Sequence, residues 1–427
     1  MLLGLSVENW LSFKNKTEFS MIATREQQHR DRLFDLSRYK NRVLPIAAIY
    51  GANAAGKTNF IKIMSIAKIF ILNGLRPGEV LPIYPYLLDN DCLDQPSRFS
   101  VGLLIDGTIY EYAFVVDRKQ VIEEKLSEVQ TKKEKILFHR KSDEIVFNNE
   151  IEDQEFLRFV YKGTRKNQLF LTSSVFQNAK HFRKIFDWFD NIEIITPDAT
   201  FQPFEKFFDE TSPLYNDINN YFKNCDVGIE KIECEEIPFS SLPLPLDTRS
   251  FFANIQEGRT FRLQIGRERI LVTKKNGNIV SKRIISVHTN EQGQNVKFNL
   301  TDESDGTLRS IDLFPAFSEL CTDSSKIYIV DEIDRSLHPL LVKHLIEMYL
   351  DSCNKSKKGQ LIFTTHDTNL INQKIFRRDE IWMIDRNKFK SSEFISFSDF
   401  ENIRKDKDIR KSYMDGRFGG VPTLMGN

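Results

Sequence analysis

The stretch GANAAGKT, residues 51–58, constrains the fold of this chain more than any other. It follows an apolar run that ends at Tyr50 and precedes a helical pattern of apolar residues that starts at Ile61. A G-x-x-x-x-G-K-[ST] pattern between a strand and a helix predicts a phosphate-binding loop, because the glycines let backbone N–H groups point at phosphate oxygens near a helix N-terminus. A purely structural glycine turn is the alternative, and the flanking strand and helix disfavour it.

The residue types within this loop predict separate roles. Lys57 is expected to reach the β- and γ-phosphates of a nucleotide, and the hydroxyl of Thr58 is expected to ligate Mg²⁺. The predicted nucleotide-contacting residues of the loop are Gly51, Asn53, Ala54, Ala55, Gly56, Lys57, Thr58 and Asn59.

A second apolar run, IYIV, ends in two adjacent carboxylates, Asp331 and Glu332. A phosphate-binding loop needs an Asp at the end of a neighbouring buried strand to hold its magnesium, so Asp331 is the predicted second metal ligand. Glu332 is expected to point the other way and to polarise an attacking water. A charged helix N-cap is the alternative for Asp331, and the presence of the loop makes it less favoured.

Composition limits the classes of partner. The 427 residues include 60 basic and 60 acidic side chains, so there is no net charge to attract nucleic acid or an anionic membrane. No apolar stretch approaches the roughly 18 residues of a membrane span, and the N-terminus lacks the features of a signal peptide. The five cysteines show no CxxC spacing, which argues against a zinc site or a disulfide framework. We therefore expect a cytoplasmic protein without a membrane partner.

The patterns along the chain predict three segments. Residues 1–150 read as an N-terminal lobe with the phosphate-binding loop and an antiparallel β region, in which Asp106-Gly107 signals a hairpin. Residues 151–300 read as an insertion, with aromatics at helical spacing over 152–222 and β patterns over 260–300. Residues 301–427 read as a C-terminal lobe. The charged stretch from 29 to 42 is expected on the surface, and heptads for a long coiled coil are absent.

The order of three further motifs resembles the ABC-type ATPases of the SMC and double-strand-break-repair lineage. ESDGT precedes the acidic pair, DRSLHP follows it, and FTTHD ends a later apolar strand. In this resemblance Ser304 and Gly306 form the signature, Asp334 lies in the D-loop and His366 is the switch histidine. Gln177 is the Q-loop candidate.

Each of these assignments has an alternative. ESDGT departs from the usual Leu-Ser-Gly-Gly-Gln at three positions, and such loops often only start helices. His366 alone is typical of a hydrogen-bonded strand end, and Gln177 of an ordinary helical glutamine. The resemblance implies an α/β ABC-type, SMC-head-like P-loop ATPase. Its fold would have a mixed sheet, an antiparallel β subdomain and a helical insertion in place of a long coiled coil.

The resemblance also implies how such a site is completed. Catalysis would depend on Lys57, Glu332 and His366, with ATP and Mg²⁺ as cofactors and Thr58 and Asp331 as metal ligands. ABC-type heads work as pairs, so the partner would be a second copy in a head-to-head dimer or a larger homo-oligomer.

The chain resembles more closely the P-loop ATPases of abortive-infection (AbiL-type), RloA-type and PARIS (AriA-type) anti-phage loci. The stretches that carry this resemblance are VENWLSFKNKTEFSM, GANAAGKTNF, PSRFSVGLLIDGTIYEYAFVVD, NQLFLTSS, ESDGTLR, VDEIDRSLHP, QLIFTTHDTNL and YMDGRFGGVPTL. OLD-family nucleases share the ATPase head but add a Toprim domain, for which residues 386–427 are too few and too basic. The resemblance therefore implies a sensor or regulatory ATPase without its own nuclease. It would respond to a phage-encoded trigger and control a Toprim-like nuclease or toxin from the same operon.

Two other functions remain open at this point. A DNA-binding SMC-like ATPase of repair or chromosome maintenance would need a basic groove, whereas runs such as KKEK, HRK and NKSKK are scattered and mixed with acids. The ATP subunit of a transporter would need a membrane partner, and the altered signature and large insertion argue against it.

Overall fold

The computed structural model describes residues 1–131, 133–201, 204–225, 228–322, 324–400, 409–416 and 418–419. The chain forms two compact units. Unit 1 comprises Met1–Pro197, Leu320–Asp334 and Glu347–Asn427, and unit 2 comprises Asp198–Glu319 and Arg335–Ile346. These units follow spatial proximity, whereas the division at residues 150 and 300 follows sequence patterns and stays a prediction.

The described strands and α-helices have the following bounds. The strands are β1 (Leu2–Glu8), β2 (Thr17–Ser20), β3 (Phe34–Leu36), β4 (Asn41–Val43), β5 (Ile46–Tyr50), β6 (Ser97–Ile105), β7 (Thr108–Val116), β8 (Val121–Val129), β9 (Glu134–Lys141), β10 (Glu144–Phe147), β11 (Ile192–Ile195), β12 (Ile229–Ile237), β13 (Thr260–Ile265), β14 (Glu268–Lys275), β15 (Asn278–Thr289), β16 (Asn295–Asn299), β17 (Ile327–Val330), β18 (Gln360–Thr364), β19 (Ile381–Arg386) and β20 (Ser392–Ser396). The helices are α1 (Lys57–Asn73), α2 (Asn90–Leu93), α3 (Gln154–Gly163), α4 (Phe170–Phe176), α5 (Arg183–Asp190), α6 (Pro213–Asn224), α7 (Leu246–Ala253), α8 (Asp305–Cys321), α9 (Pro339–Ser352) and α10 (Ile409–Met414).

Unit 1 contains a mixed six-stranded sheet in the order β11-β17-β18-β5-β19-β20, in which β20 runs antiparallel to β19. The strands β5, β17 and β18 pair in parallel and are buried along their whole length. Continuous apolar runs of this kind are typical of parallel strands covered on both faces. The carboxyl ends of these three strands therefore meet at one edge of the sheet, where parallel α/β sheets bind ligands.

Unit 1 also contains an antiparallel seven-stranded sheet in the order β10-β9-β8-β7-β6-β1-β2. The strands β1 and β2 pair in an antiparallel manner, and the turn between β6 and β7 confirms the predicted hairpin. Asp106 has φ 49° and Gly107 has φ 75°, the left-handed pair that a two-residue hairpin turn requires.

Unit 2 contains a smaller antiparallel sheet in the order β12-β15-β14-β13, with β16 paired to β15. It confirms the β region predicted over 260–300. The side chains of Leu242, Phe252, Ile255, Ile270 and Val272 form a buried core in this unit. The longest described helices, α1 and α8, have 17 residues each, so the described part of the chain contains helices of ordinary length in place of a long coiled coil.

Two expectations from the sequence hold only in part. The charged stretch 29–42 is not simply a surface segment, because Leu33 is 1% exposed and the guanidinium of Arg32 bonds to buried Glu380. The region 152–222 is not only helical, because it contains β11, which pairs in parallel with β17. A segment of four residues, IEII, is too short to be assigned to strand or helix by its period, so this strand could not be distinguished in the sequence.

Two further observations concern the helices and the C-terminal motif. Among the described residues, no helix is both long and apolar enough to cross a membrane. The motif GRFGGVP is described only at Gly416, Phe418 and Gly419, and its other residues lie outside the described part. The ring of Phe418 packs between Phe397 and Phe400, and a side chain at Gly419 would collide with the carboxylate of Asp385.

Candidate nucleotide-binding site

The predicted phosphate-binding loop connects β5 to α1, and Gly56 is the N-cap of the helix, with φ 119°. A Cβ atom at Gly56 would collide with the hydroxyl of Ser392 and would lie 2.8 Å from that of Ser12. A Cβ atom at Gly51 would collide with the carbonyl oxygen of Ile384. Both glycines of the motif are therefore required by close packing around the loop, and Gly56 also by its backbone conformation.

Two segments that are distant in the sequence, one around Ser12 and one around Ser392, support the phosphate-binding loop. The hydroxyl of Ser392 donates to the carbonyl oxygen of Ala55, and the backbone N–H of Ser392 donates to Ser12 O over 2.8 Å. The N–H of Lys14 donates to Ser391 Oγ over 3.0 Å. The sequence analysis missed these supporting residues, since isolated serines at such separations carry no recognisable pattern.

Lys57 lies over its own loop. Its Nζ donates to Gly51 O over 2.8 Å and to Ala52 O over 3.2 Å, and the residue is 6% exposed. Burial lowers the pKa of Lys57, and the carboxylates of Asp331, Glu332 and Asp334 act in the opposite direction. The ammonium group of Lys57 is therefore close enough to all three carboxylates to interact with them electrostatically.

The other loop residues differ in exposure. Asn53, Ala54 and Thr58 are exposed, Asn59 is half-buried and Ala55 is buried. Ala54 has a left-handed φ of 61°. Thr58 is the second residue of α1, so its backbone N–H is among those at a helix start that have no partner within the helix.

The acidic pair is held by Thr364 at the end of β18. The hydroxyl of Thr364 donates to Asp331 Oδ1 over 2.6 Å and accepts from the N–H of Glu332 over 2.8 Å. Asp331 is 2% exposed, whereas Glu332 is half-buried and has a left-handed φ of 47°. Such a backbone costs about 1–3 kcal/mol in a residue other than glycine and is concentrated at functional sites. Thr364 was also missed, although it lies inside the quoted motif FTTHD.

His366 and Asp334 are joined through the backbone. The N–H of His366 donates to Asp334 Oδ2 over 3.2 Å. Burial and the neighbouring Lys57 ammonium lower the pKa of His366, and the three nearby carboxylates oppose this shift only in part. The imidazole is therefore neutral at pH 7. The structure thus brings Lys57, Asp331, Glu332, Asp334 and His366 together at one edge of the sheet in unit 1.

The two proposed signature residues lie in unit 2. Ser304 Oγ accepts from the N–H of Thr307 over 3.1 Å and so caps the first turn of α8. A Cβ atom at Gly306 would lie 2.7 Å from Ser336 O, so the backbone of α8 approaches the SLHP segment closely. These contacts give both residues a local structural role, and their role in nucleotide binding stays a prediction.

Gln177 follows α4 and is exposed. Its N–H donates to Ser173 O over 3.1 Å, and its Nε2 would lie 3.8 Å from a Cβ atom at Gly163. None of these neighbours belongs to the phosphate-binding loop, and the assignment of Gln177 as the Q-loop residue stays a prediction.

The donors at the site suit Mg²⁺. The carboxylate of Asp331 and the hydroxyl of Thr58 are hard oxygen ligands, which this ion prefers together with water and substrate phosphates. Within the described ranges, no group of three or more His, Cys, Asp or Glu residues is arranged to hold a metal.

Comparison with solved structures gives likenesses to SMC heads. An SMC head bound to the C-winged helix domain of ScpA is 13% identical, with 92% of this chain and 97% of that chain covered and a TM-score of 0.39. The SMC head domain from Thermotoga maritima is 12% identical, with coverage of 92% and 98% and a TM-score of 0.36. An SMC head with a coiled coil and joint from Pyrococcus yayanosii is 10% identical, with coverage of 92% and 96% and a TM-score of 0.39. No curated protein sequence matches the chain.

A protein family covers most of the chain. Residues 46–372 match the family described as "AAA domain, putative AbiEii toxin, Type IV TA system". The match includes the phosphate-binding loop, the acidic pair and His366. The chain belongs to this AbiEii-type AAA family.

Proposed function

We propose that the chain hydrolyses ATP at the edge of the mixed sheet and that ATP binding controls an effector encoded separately. The observation that carries the proposal is the convergence of Lys57, Asp331 and Glu332 at the carboxyl ends of β5 and β17, two strands of the same parallel set with β18 between them. A cation, a buried carboxylate and a half-buried carboxylate are the groups that phosphate binding, metal binding and water activation require.

The residues of the site have distinct tasks in this proposal. Lys57 exchanges its bonds to Gly51 O and Ala52 O for phosphate oxygens. Asp331 and Thr58 would hold Mg²⁺, which when bound neutralises charge on the β- and γ-phosphate oxygens. Asp331 is kept in position by the hydroxyl of Thr364.

Glu332 and His366 act on the attacking water and the terminal phosphate. Glu332 accepts a proton from water. His366 is neutral at pH 7, so its ring can donate one hydrogen bond to a γ-phosphate oxygen without adding a positive charge.

A second copy of the chain completes the site. Ser304 and Gly306 of that copy close over the nucleotide, and Asp334 contributes to the contact between the two sites. Since each copy supplies both a loop and a signature, ATP favours the paired state and hydrolysis releases it.

The defence role has two supports. The family description names an AbiEii toxin and a type IV toxin–antitoxin system, and the sequence resembles ATPases of abortive-infection loci. We therefore propose a cytoplasmic sensor that responds to a phage-encoded trigger. Its effector in this proposal is a Toprim-like nuclease or another toxin from the same operon, as the resemblance to those loci implies.

Substitution Glu332→Gln tests the enzymatic part. Removing the base should lower ATP hydrolysis by about 10²–10⁴-fold. ATP binding should persist because Lys57 and Asp331 are unchanged, and the ATP-bound assembly should accumulate. Phosphate release, ATP titration and light scattering measure these three properties.

The exposed variant Glu291→Gln is the matched control and should behave as the unsubstituted chain. Full hydrolysis by Glu332→Gln would reject Glu332 as the base. An assembly size that is independent of ATP in both proteins would reject the switch. Co-expression with the neighbouring open reading frame tests the effector: release of its activity should depend on ATP.

A further inference from the structure

A cleft lies in unit 1 outside the nucleotide site, where the start of β8 and the end of β9 meet the end of α3. Its volume is about 570 Å³, within the usual range for small-molecule sites. The ATPase mechanism uses none of the residues that line it.

The charged residues that line the cleft are mostly cationic. Arg140, Lys162 and Lys166 contribute three positive charges, and Asp143 contributes the one negative charge among the lining residues. Lys162 and Lys166 are exposed, and neither forms an ion pair with another described residue. A cleft with this excess of cations favours an anionic ligand.

Arg140 is the buried member of the set. The residue is 3% exposed, and its Nη1 donates to Gln168 O over 2.7 Å and lies 3.6 Å from a carboxylate oxygen of Glu124. Its Nε is buried and has no hydrogen-bond partner within the part of the chain that the structure describes. Arg140 thus supplies a positive charge that the carbonyl of Gln168 holds in place beside the cleft, with no room at Nε itself for a ligand oxygen.

The end of α3 does not oppose an anion as strongly as a bare helix C-terminus would. Thr164 satisfies two of its last carbonyl groups, since its N–H donates to Tyr161 O over 2.9 Å and its hydroxyl donates to Val160 O over 2.9 Å. The ring of Tyr161 lies 5.6 Å from the guanidinium of Arg140. The cleft therefore offers a flat apolar wall beside its cations.

We propose that this cleft binds a small phosphate-bearing molecule, whose phosphate lies against Arg140, Lys162 and Lys166 and whose remaining part packs on Tyr161. The same chemistry fits free phosphate or the phosphate of a nucleotide, and the two sources differ in whether they use the ring. Binding here does not depend on the proposed ATPase activity.

Calorimetric titration of the full chain tests the site, with Lys57→Ala as the background so that the Lys57 ammonium does not contribute to binding. The probes are inorganic phosphate and AMP at constant ionic strength. We expect saturable binding, tighter for AMP if the ring is used. Lys162→Glu with Lys166→Glu should weaken it at least about tenfold, or about 1.4 kcal/mol.

The control pair is Lys223→Glu with Lys275→Glu, two exposed lysines of unit 2 that give the same change in net charge. Far-ultraviolet circular dichroism verifies that both double variants fold. The proposal is overturned if neither probe binds saturably, or if the control pair weakens binding as much as the cleft pair. Equal affinity for the two probes would support the site as one for free phosphate.

Discussion

At the residue scale, Thr364 makes a prediction that follows from its two hydrogen bonds. Thr364→Val keeps the shape of the side chain but removes the hydroxyl between Asp331 and Glu332. Residues that orient metal ligands and catalytic groups typically contribute about 10–100-fold to activity, so ATP hydrolysis should fall by this factor. The measurement is steady-state phosphate release at several Mg²⁺ concentrations.

Thr364→Ser is the matched variant, since it keeps the hydroxyl and loses only a methyl group. It should retain most of the activity. Equal activity of the Val and Ser variants would show that the hydroxyl does not position the acids.

The same residue shows what the sequence could and could not predict. Lys57 and Asp331 were predicted because the chemistry of phosphate and magnesium demands those types in a recognisable local pattern. Thr364, Ser12 and Ser392 were not predicted, because their roles depend on contacts between residues that are far apart in the sequence. Thr364 and Asp331 are more than 30 residues apart, and Ser12 and Ser392 are more than 300 residues apart. A serine or threonine in isolation is common, so only the folded structure shows which hydroxyl supports the site.

At the element scale, the start of α8 separates two roles of Ser304. Ser304→Ala removes the cap and should lower the free energy of unfolding by about 1 kcal/mol, whereas Ser304→Asp caps as well as Ser. If Ser304 also closes over a nucleotide in a second copy, the added carboxylate should repel the phosphates and abolish hydrolysis. Thermal unfolding and phosphate release measure the two effects, and a stable, fully active Ser304→Asp variant would exclude the second role.

The buried contact between Arg32 and Glu380, the residue just before β19, predicts that the free energy of unfolding depends on pH. Burial raises the pKa of Glu380 to about 7 from an ordinary value of 4.5, although Arg32 acts in the opposite direction. Between these two values the folded chain binds more protons than the unfolded chain. Stability contributed by the protonated group is therefore present below about pH 4.5 and is lost as the pH rises through about 7, by at most about 1.4 kcal/mol per pH unit.

Glu380→Gln removes this titration and should flatten the dependence of unfolding free energy on pH between 5 and 7. Denaturant unfolding at several pH values measures it, with exposed Glu291→Gln as the control. A slope that is the same in both variants would show that Glu380 does not titrate in this range.

At the scale of the whole molecule, the proposed pairing predicts complementation between two inactive variants. Lys57→Ala lacks a working loop, and Ser304→Asp lacks a working signature. In an equal mixture half of the pairs contain both variants, and one of the two sites in each such pair is intact. Activity should then recover to about a quarter of that of the unsubstituted chain, if copies exchange freely and the sites act independently.

Each variant alone should remain inactive, and the recovered rate should rise with the fraction of mixed pairs. Absence of recovery at every mixing ratio, with both variants shown to exchange copies, would argue that a single copy contains the whole site.

The position of Lys57 has a consequence for ligand selectivity. Its two bonds to Gly51 O and Ala52 O, of 2.8 and 3.2 Å, have to be broken before the ammonium can meet a ligand. A lone phosphate that reaches only the loop amides leaves these bonds in place and gains little from the lysine. A chain of phosphates long enough to reach the ammonium replaces both bonds at once. We therefore predict that Lys57 favours ligands with a chain of phosphates over ligands with a single phosphate.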